Sequence, residues 1–421
     1  MKANKIIIAA VCLILTLATG INLTGCVAKI HAADLTEGIT PATPDVPETA
    51  INDGAPKAAD FAVRLFKQSC ENGKNTLISP LSVLAALSLT LNGAKGDTKA
   101  QMEQVLGMST DELNRFFYAY MKALPNTNKY KMRLANSIWF TSDERFTVEP
   151  AFLQTNADYY GASAYKAPFD KSTLNDINNW VKQKTDGMIP DILDRIPADA
   201  VMYLVNALAF EAEWAEIYEK DQVHEGTFTR EDGAKQNVDF MYSTEGFYLD
   251  GGNASGFIKY YSGGKYAFAA LLPEEGLTVN DFVGSLDGEA LLKMLAAPQV
   301  VPVEAKLPKF ETEYSTEMSE VLKAMGMPGA FDPAFADFSG LGSSTAGNIF
   351  ISRVIHKTFI SVAEKGTKAG AATVVEMKVK SADPFFEDQK YVLLDRPFVY
   401  MLIDTETNIP FFIGTMTDVK A

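Results

Sequence analysis

Few side chains in this 421-residue sequence have the types and spacing of a catalytic site. The three histidines, His31, His224 and His356, are widely separated, and no G-x-S-x-G, H-E-x-x-H, C-x-x-C or Walker-type motif is present. The run Gly342-Ser343-Ser344 lacks the helix context that a phosphate site needs. Counting residues does not exclude a serine–histidine hydrolase, but the sequence has no nucleophile-elbow motif that would indicate such an enzyme. The sequence therefore predicts a protein that is not an enzyme.

The most unusual pattern lies between Glu364 and Ser381, where small residues replace the usual mixture of large and charged ones. With the two-residue period of a β-strand, one face consists of Thr367, Ala369, Ala371, Thr373, Val375 and Met377. All three charges between 367 and 378 fall on the opposite face, which consists of Lys368, Gly370, Ala372, Val374, Glu376 and Lys378. The segment is either a flexible surface loop or a strand with one face suited to burial, and a one-residue slip would bury charge.

The first 25 residues resemble the signal peptide of a bacterial lipoprotein. Lys2 and Lys5 precede an apolar run over residues 6–18, which is shorter than the about 20 residues of a transmembrane helix. The run Leu23-Thr24-Gly25-Cys26 then resembles the lipobox, in which cleavage precedes a lipidated cysteine. We therefore expect lipid on Cys26 and a location in the bacterial cell envelope, membrane-anchored and facing outside the cytoplasm. An ordinary secretory signal with a chance cysteine is the alternative.

Residues 26–56 are expected to contain the lipidated cysteine and a flexible linker. They include Pro41, Pro44 and Pro47 and few large apolar residues, so they offer little surface for burial. A coil of about 30 residues would span roughly 30 Å. The linker would thus hold the remaining domain, residues 57–421, near the membrane.

Charge and cysteine content narrow the class of partner. The formal net charge is −15 and no basic cluster falls on a predicted helix, so nucleic acid is not an expected partner. An acidic body would attract a basic protein.

Cys70 has no predicted disulfide partner, and we expect it to be a small buried hydrophobic residue. No metal or cofactor is implied.

The body from Ala58 onwards alternates helical and strand periods, which predicts one large α+β domain. The helical patterns cover Ala58–Cys70, Ser82–Leu91, Thr98–Leu106 and Ile177–Lys184. The apolar runs of strand length are Tyr266–Leu272 and Pro397–Ile403. Residues 405–408 have the composition of a hairpin turn between strands at 397–404 and 410–416.

A series of motifs across residues 58–419 resembles the serpin family. Glu364, Gly366 and Thr367, followed by small residues, resemble the hinge of the serpin reactive loop. The remaining matches occur in the family's order and spacing: Asn75, Ser79, Pro80 and Ser82 in N-x-x-x-S-P-x-S; Asn92-Gly93-Ala94 with Gly96 and Thr98; Ile177-Asn178, Trp180-Val181, Thr185, Gly187 and Ile189; Asn206-Ala207, Phe210 and Trp214; Leu307-Pro308-Lys309-Phe310; Met325-Gly326-Met327 and Ala330-Phe331; Arg396-Pro397-Phe398; and Phe411-Phe412-Ile413-Gly414.

The resemblance implies a serpin fold of three β-sheets with surrounding helices and an exposed reactive loop. It also implies suicide-type inhibition, in which a serine protease cuts the loop and the cut loop enters the main sheet as a new strand. The hinge residues would be Glu364, Gly366, Thr367, Ala369, Ala371, Ala372 and Thr373. Ser79, Ser82, Asn206 and His356 match the polar cluster where the sheet opens, and Trp214 matches the tryptophan at its upper end.

The resemblance also gives the position of the scissile bond. In serpins the residue on the N-terminal side of the scissile bond follows the hinge glutamate by sixteen positions. Counting from Glu364, that residue is Lys380, and Ser381 follows it. A lysine suits the acidic specificity pocket of a trypsin-like protease. Lys378, Met377 and Val379 are neighbouring alternatives, and the segment from 382 to 395 is longer than usual.

Three other functions stay open. The first is a non-inhibitory serpin that acts as a surface binding protein, the second is a surface adhesin, and the third is inhibition of a cysteine protease by the same loop. Small hinge residues favour an inhibitor, because large or charged residues on the inward face would block insertion. We expect a monomer whose partners are a trypsin-like serine protease and, through its lipid, a membrane.

Overall fold

The computed structural model describes residues 29–124, 130–196, 202–345, 347–367 and 388–420, with Asn206 described in its backbone alone. The chain divides into Met1–Ile30 and His31–Ala421. All described helices and strands belong to the second unit. The predicted signal peptide, Cys26 and residues 368–387, which include the predicted scissile bond, lie outside the described residues.

The helices of the described residues are α1 Thr49–Ser69, α2 Pro80–Leu91, α3 Gly96–Leu106, α4 Thr110–Ala123, α5 Pro150–Tyr160, α6 Lys171–Lys184, α7 Val279–Ser285, α8 Gly288–Ala296 and α9 Ser319–Met325. The predicted helices are therefore confirmed, although α1 and α6 begin earlier than the pattern indicated. None of these helices is long and apolar enough to cross a bilayer.

The described strands are β1 Ala33–Asp34, β2 Thr76–Ile78, β3 Tyr130–Thr141, β4 Phe146–Val148, β5 Ser163–Ala167, β6 Met202–Glu213, β7 Val223–Thr229, β8 Lys235–Asp250, β9 Ala254–Tyr260, β10 Tyr266–Pro273, β11 Gln299–Pro308, β12 Phe310–Glu317, β13 Gly342–Ser344, β14 Ile355–Ala363, β15 Gly366–Thr367, β16 Lys390–Leu393, β17 Phe398–Asp404 and β18 Pro410–Met416. Both predicted strands and the predicted hairpin are confirmed.

The described strands form three β-sheets, the number that the resemblance to serpins implied. The seven-stranded sheet has the order β1-β5-β3-β6-β15-β14-β12. The nine-stranded sheet has the order β16-β11-β8-β9-β10-β17-β18-β2, with β7 paired to β8, and β13 pairs with β4. The short strand β15 thus lies inside the seven-stranded sheet, between two long strands that are far apart in sequence.

Helix α2 shows how the apolar pattern builds the core. All twelve of its residues are buried, which fits a helix that is apolar all round, and Pro80 occupies its first turn, where a proline is tolerated. Cys70 follows α1 and packs, partly buried, against the same core. Burial raises the pKa of the Cys70 thiol to about 12, despite a hydrogen bond from Thr76. The thiol is therefore unreactive, in keeping with a small hydrophobic residue.

The segment predicted to be a flexible linker is instead packed against the body from His31 onwards, so that part of the prediction is wrong. Strand β1 pairs with β5, and α1 already begins at Thr49. The Asp176 carboxylate accepts hydrogen bonds from the backbone N–H groups of His31, at 2.9 Å, and Ala32, at 2.8 Å. Backbone hydrogen bonds along a sheet edge need no large apolar side chains, which is why composition missed them.

Candidate functional site

We call the end of the seven-stranded sheet next to Trp214 its upper end. At this end a two-residue strand lies between the two long strands β6 and β14. Strand β15 is antiparallel to both neighbours: Gly366 lies opposite Glu213 and Ala363, and Thr367 lies opposite Ala212 and Val362. The sheet order places β15 between β6 and β14. The first two residues of the hinge after Lys365 are therefore already part of the sheet.

The two residues of β15 suit this position. Gly366 has φ of +153°, and a Cβ there would clash with the carbonyl oxygen of Ala212, so only glycine fits. Thr367 is 1 % exposed, and its hydroxyl is hydrogen-bonded to the hydroxyl of Tyr261. Its burial agrees with the inward face that the strand alternation gives to residue 367.

Trp214 lies directly beside this strand. Its indole Nε1–H donates to the carbonyl oxygen of Ala363 at 2.9 Å, and its backbone N–H donates to the carbonyl of Lys365 at 2.9 Å. The indole stacks on the ring of Tyr261, with centroids 4.5 Å apart and planes 7° apart. Trp214 therefore holds the turn that precedes Gly366 and the aromatic ring beneath Thr367.

A buried ion pair lies next to Trp214 and was not predicted from the sequence. Lys259 is 3 % exposed, and its Nζ is 2.8 Å from Oε1 of Glu245. The same ammonium lies 4.4 Å from the ring centroid of Tyr218 and 5.5 Å from that of Trp214. A buried ammonium needs such partners, because removing the Glu245 carboxylate would leave the charge of Lys259 buried and unpaired. No sequence signal marks the pair, since its residues are distant from the loop motif.

Glu364 at the start of the hinge pairs with Lys309. The two side chains meet at 2.6 Å between Oε1 and Nζ, and the carbonyl oxygen of Glu364 accepts a hydrogen bond from the Tyr218 N–H at 2.9 Å. Partial burial opposes ionisation of Glu364, but the hydrogen bond and charge of Lys309 outweigh it and lower the pKa of the carboxyl. The turn before β15 is therefore held on both its side chain and its backbone.

A second group of predicted residues lies at the opposite end of β14. The backbone N–H of Ser79 donates to Nε2 of His356 at 3.0 Å, so this nitrogen carries no proton. Burial lowers the pKa of His356 to about 4. The Ser79 hydroxyl is buried and has no hydrogen-bond partner among the described residues. Ser82 is buried in α2, while Asn206 is described only in its backbone, which lies opposite Asn136.

The structure therefore brings the predicted residues together in two places. Glu364, Gly366, Thr367 and Trp214 meet at the upper end of the sheet, and Ser79 meets His356 near the other end of β14. Seven further predicted residues lie outside the described part of the chain: Ala369, Ala371, Ala372, Thr373, Lys380, Ser381 and Cys26. Within the part that is described, no cluster of His, Cys, Asp and Glu side chains could hold a metal ion.

Comparison with known proteins identifies the family that has this arrangement. Residues 56–419 match the family model described as serpin (serine protease inhibitor). The chain is 30 % identical to an uncharacterised serpin-like protein of Thermococcus kodakarensis, over 86 % of this chain and 84 % of the relative. It is 31 % identical to human serpin B8, over 84 % of this chain and 96 % of the relative.

A solved structure is also similar across almost its whole length. The thermophilic serpin tengpin, in its native state, superposes with a TM-score of 0.85 at 47 % sequence identity. The match covers 92 % of this chain and 99 % of tengpin. The three-sheet architecture described above is thus shared with a serpin of closely similar sequence.

Proposed function

The chain belongs to the serpin family, and from that premise we propose that it traps serine proteases by inserting its cleaved reactive loop into the seven-stranded sheet. Serpins are generally protease inhibitors rather than enzymes. The observation that supports the proposal is β15, because Gly366–Thr367 already pairs with β6 on one side and β14 on the other. Insertion would extend this strand along the same two partners.

The proposed reaction is interrupted proteolysis. The protease serine attacks the carbonyl carbon of Lys380, the bond to the Ser381 nitrogen breaks, and the Ser381 amine leaves with the proton that the protease supplies. The protease is then esterified to Lys380. Insertion of the loop moves it away from its docking position before water can hydrolyse the ester.

Strand pairing could supply the driving force. A new strand in the middle of the sheet forms on the order of ten net hydrogen bonds, each contributing roughly 0.5–1.5 kcal/mol. Their sum is comparable with the about 5–15 kcal/mol that stabilises an ordinary domain. The uncut form would then persist because insertion is slow, so its lifetime is a kinetic property.

The proposed target is a trypsin-like protease, because the residue at the proposed scissile position is Lys380. Lys378 gives a second basic residue two positions earlier. A cysteine protease that accepts lysine could be trapped by the same loop through a thioester.

We also propose that lipid on Cys26 anchors the protein to the outside of a bacterial membrane, as the match to the lipobox indicates.

The test is incubation with a panel of serine and cysteine proteases, followed by denaturing electrophoresis. We expect an SDS-resistant complex with trypsin-like enzymes and its loss in Lys380→Ala. Thr367→Arg should be cut without forming the complex, because it would place a charge on the buried face of β15. Cleavage of the unaltered loop by an excess of protease with no complex would instead favour a non-inhibitory binding protein.

A further inference from the structure

Strand β15 gives each following loop residue a defined neighbour in the proposed inserted state. In an antiparallel pair, each step forward on one strand is a step back on its partner. Thr367 lies opposite Ala212 on β6 and Val362 on β14. Extending this register places Lys368 opposite Glu211 and Glu376 opposite Arg353.

We propose that β6 and β14 part to accept residues 368–378 of this chain between them in a single register, which two cross-strand ion pairs select. The first pair is Lys368 with Glu211, and the second is Glu376 with Arg353. The proposal rests on the proposed function, because it concerns the state that loop insertion produces. Glu211 and Arg353 act in it as positioning residues.

Glu211 is already part of a row of charges across the sheet. Ala212 is buried, so the alternation of β6 turns Glu211 to the outer face. There it lies opposite Lys131 of β3, with Nζ and Oε2 3.5 Å apart. Lys368 on the other side would place the carboxylate between two ammonium groups, on neighbouring strands.

Arg353 lies on the same outer face as Lys357. Their side chains and that of Ile355 line one cavity of about 280 Å³, while Val354 between them is buried, so the strand alternation continues past the first residue of β14. Lys357 is neutralised by Asp191 at 2.8 Å and by Glu313. Arg353 forms no ion pair with any residue that the structure describes, which leaves it available to a new partner.

The loop offers one acid for this arginine. Between Lys365 and Ala382, the sequence contains lysines but only a single carboxylate, that of Glu376. Glu376 falls on the outward face, and the register places it at Arg353. In this register Lys368 of the loop meets Glu211 of β6, and Glu376 meets Arg353, which lies two residues before β14.

Only one register satisfies both pairs. A slip of two residues keeps the apolar face inward, so burial alone does not prevent it. A slip one way would place Lys368 at Glu213 but Glu376 at Ile355. A slip the other way would place Lys368 at Ala209 and Glu376 at Ile351, and both ion pairs would be lost.

The first test measures how many inhibitor molecules are consumed for each molecule of trypsin trapped. Glu211→Lys and Lys368→Glu should each raise this ratio two- to fivefold, because slower insertion gives water time to release the protease. The double variant should return the ratio to that of the unaltered protein. Glu213→Lys is the matched control, since it makes the same change on the same face of β6 opposite Gly366.

The second pair is tested without adding a basic residue to the loop. Arg353→Glu should raise the ratio two- to fivefold, and Glu376→Gln in that background should largely restore it by removing the repulsion. Arg133→Glu, on the outer face of β3, is the control. The differences should shrink at 1 M NaCl, because exposed charges are then screened, whereas a packing defect would persist.

These outcomes separate the two proposals. If the unaltered protein forms no SDS-resistant complex, the proposed function fails, and the register is then tested with a synthetic peptide of residues 367–380 added to the intact protein. That peptide should bind the unaltered protein, and its Lys368→Glu version should bind only Glu211→Lys. If the complex forms normally but single variants behave as their controls, or the paired variants restore nothing, the register inference is overturned.

Discussion

At the scale of single residues, buried polar groups make contacts near the two ends of β14 in the seven-stranded sheet. The Thr367 hydroxyl meets Tyr261 at the upper end, and the His356 imidazole accepts the Ser79 N–H near the other. Hydrogen bonds are suited to this position, because they can be broken and remade as strands separate, whereas an interlocked apolar contact would have to be repacked. The buried pair of Lys259 and Glu245 next to Trp214 is also joined by a hydrogen bond, from the Lys259 ammonium to the Glu245 carboxylate.

His356 predicts a loss of stability in mild acid. Its pKa is about 4 in the folded protein and about 6.5 when unfolded. The unfolded chain thus binds a proton that the folded one does not, and stability falls as pH decreases from 6.5 towards 4, by about 3 kcal/mol in all. We expect the urea midpoint to fall between pH 7 and pH 5.

The contribution of His356 to the pH dependence of stability is separated by comparison with a variant of His224, which is exposed. His356→Gln should flatten this part of the pH profile, while His224→Gln should leave it as it is. An unchanged slope in His356→Gln would assign the pH dependence to other groups.

At the scale of elements, the short strands matter more than their length suggests. Strand β15 has two residues and fixes the register of everything that would follow it. Strand β1 also has two residues, and it extends the seven-stranded sheet at its far edge. Both are held by backbone pairing and by one well-placed side chain, Tyr261 for β15 and Asp176 for β1.

Asp176→Ala should release β1 without unfolding the body. The change removes the acceptor for the backbone N–H groups of His31 and Ala32 and for the His31 ring, whose Nδ1 lies 3.2 Å from the carboxylate. We expect amide exchange at residues 31–35 to accelerate at least tenfold, and limited proteolysis to begin there.

Asp158→Ala provides the comparison for this segment, because its carboxylate accepts only the Ala42 N–H from the same stretch of chain. It should affect exchange near residue 42 but not at residues 31–35. Equal protection of β1 in the Asp176 variant would show that pairing with β5 alone suffices.

At the scale of the whole molecule, the proposed activity depends on a fold that is not at its lowest free energy. In the proposed mechanism one sheet would accept a further strand, and the other two sheets and the helices would provide the body across which the trapped protease is moved. The proposed lipid would confine this event to a surface. Association with that surface would be separable from inhibition, because the proposed lipid lies on Cys26 and the proposed scissile bond follows Lys380.

Cys26→Ala should abolish membrane association and leave inhibition unchanged. Without the thiol no diacylglyceryl group can be attached, which removes the anchor that the lipobox predicts. The measurement is fractionation of cells that express the full chain, with Cys12→Ala as the comparison. Membrane retention of Cys26→Ala would contradict the lipoprotein proposal.

The sequence by itself determined the local elements and the chemistry of the loop. Helix α2 and strand β10 were predictable because a continuous apolar run specifies burial wherever it lies in the fold. The two-residue period predicted an inward-facing Thr367, and Thr367 is buried; the prediction for the residues that follow it lies outside the described part of the chain. The family and its fold followed from motifs in a fixed order, which the match over residues 56–419 confirms.

Only the tertiary structure decided which residues meet. Thr367 contacts Tyr261 across 106 positions of sequence, and Ser79 contacts His356 across 277. Local periodicity contains no information about such partners, because register between distant strands is set by the packing of the whole sheet. The depressed pKa of His356, the Lys259 pair and the packed segment from His31 onwards arise in the same way, from neighbours that the chain acquires only when it folds.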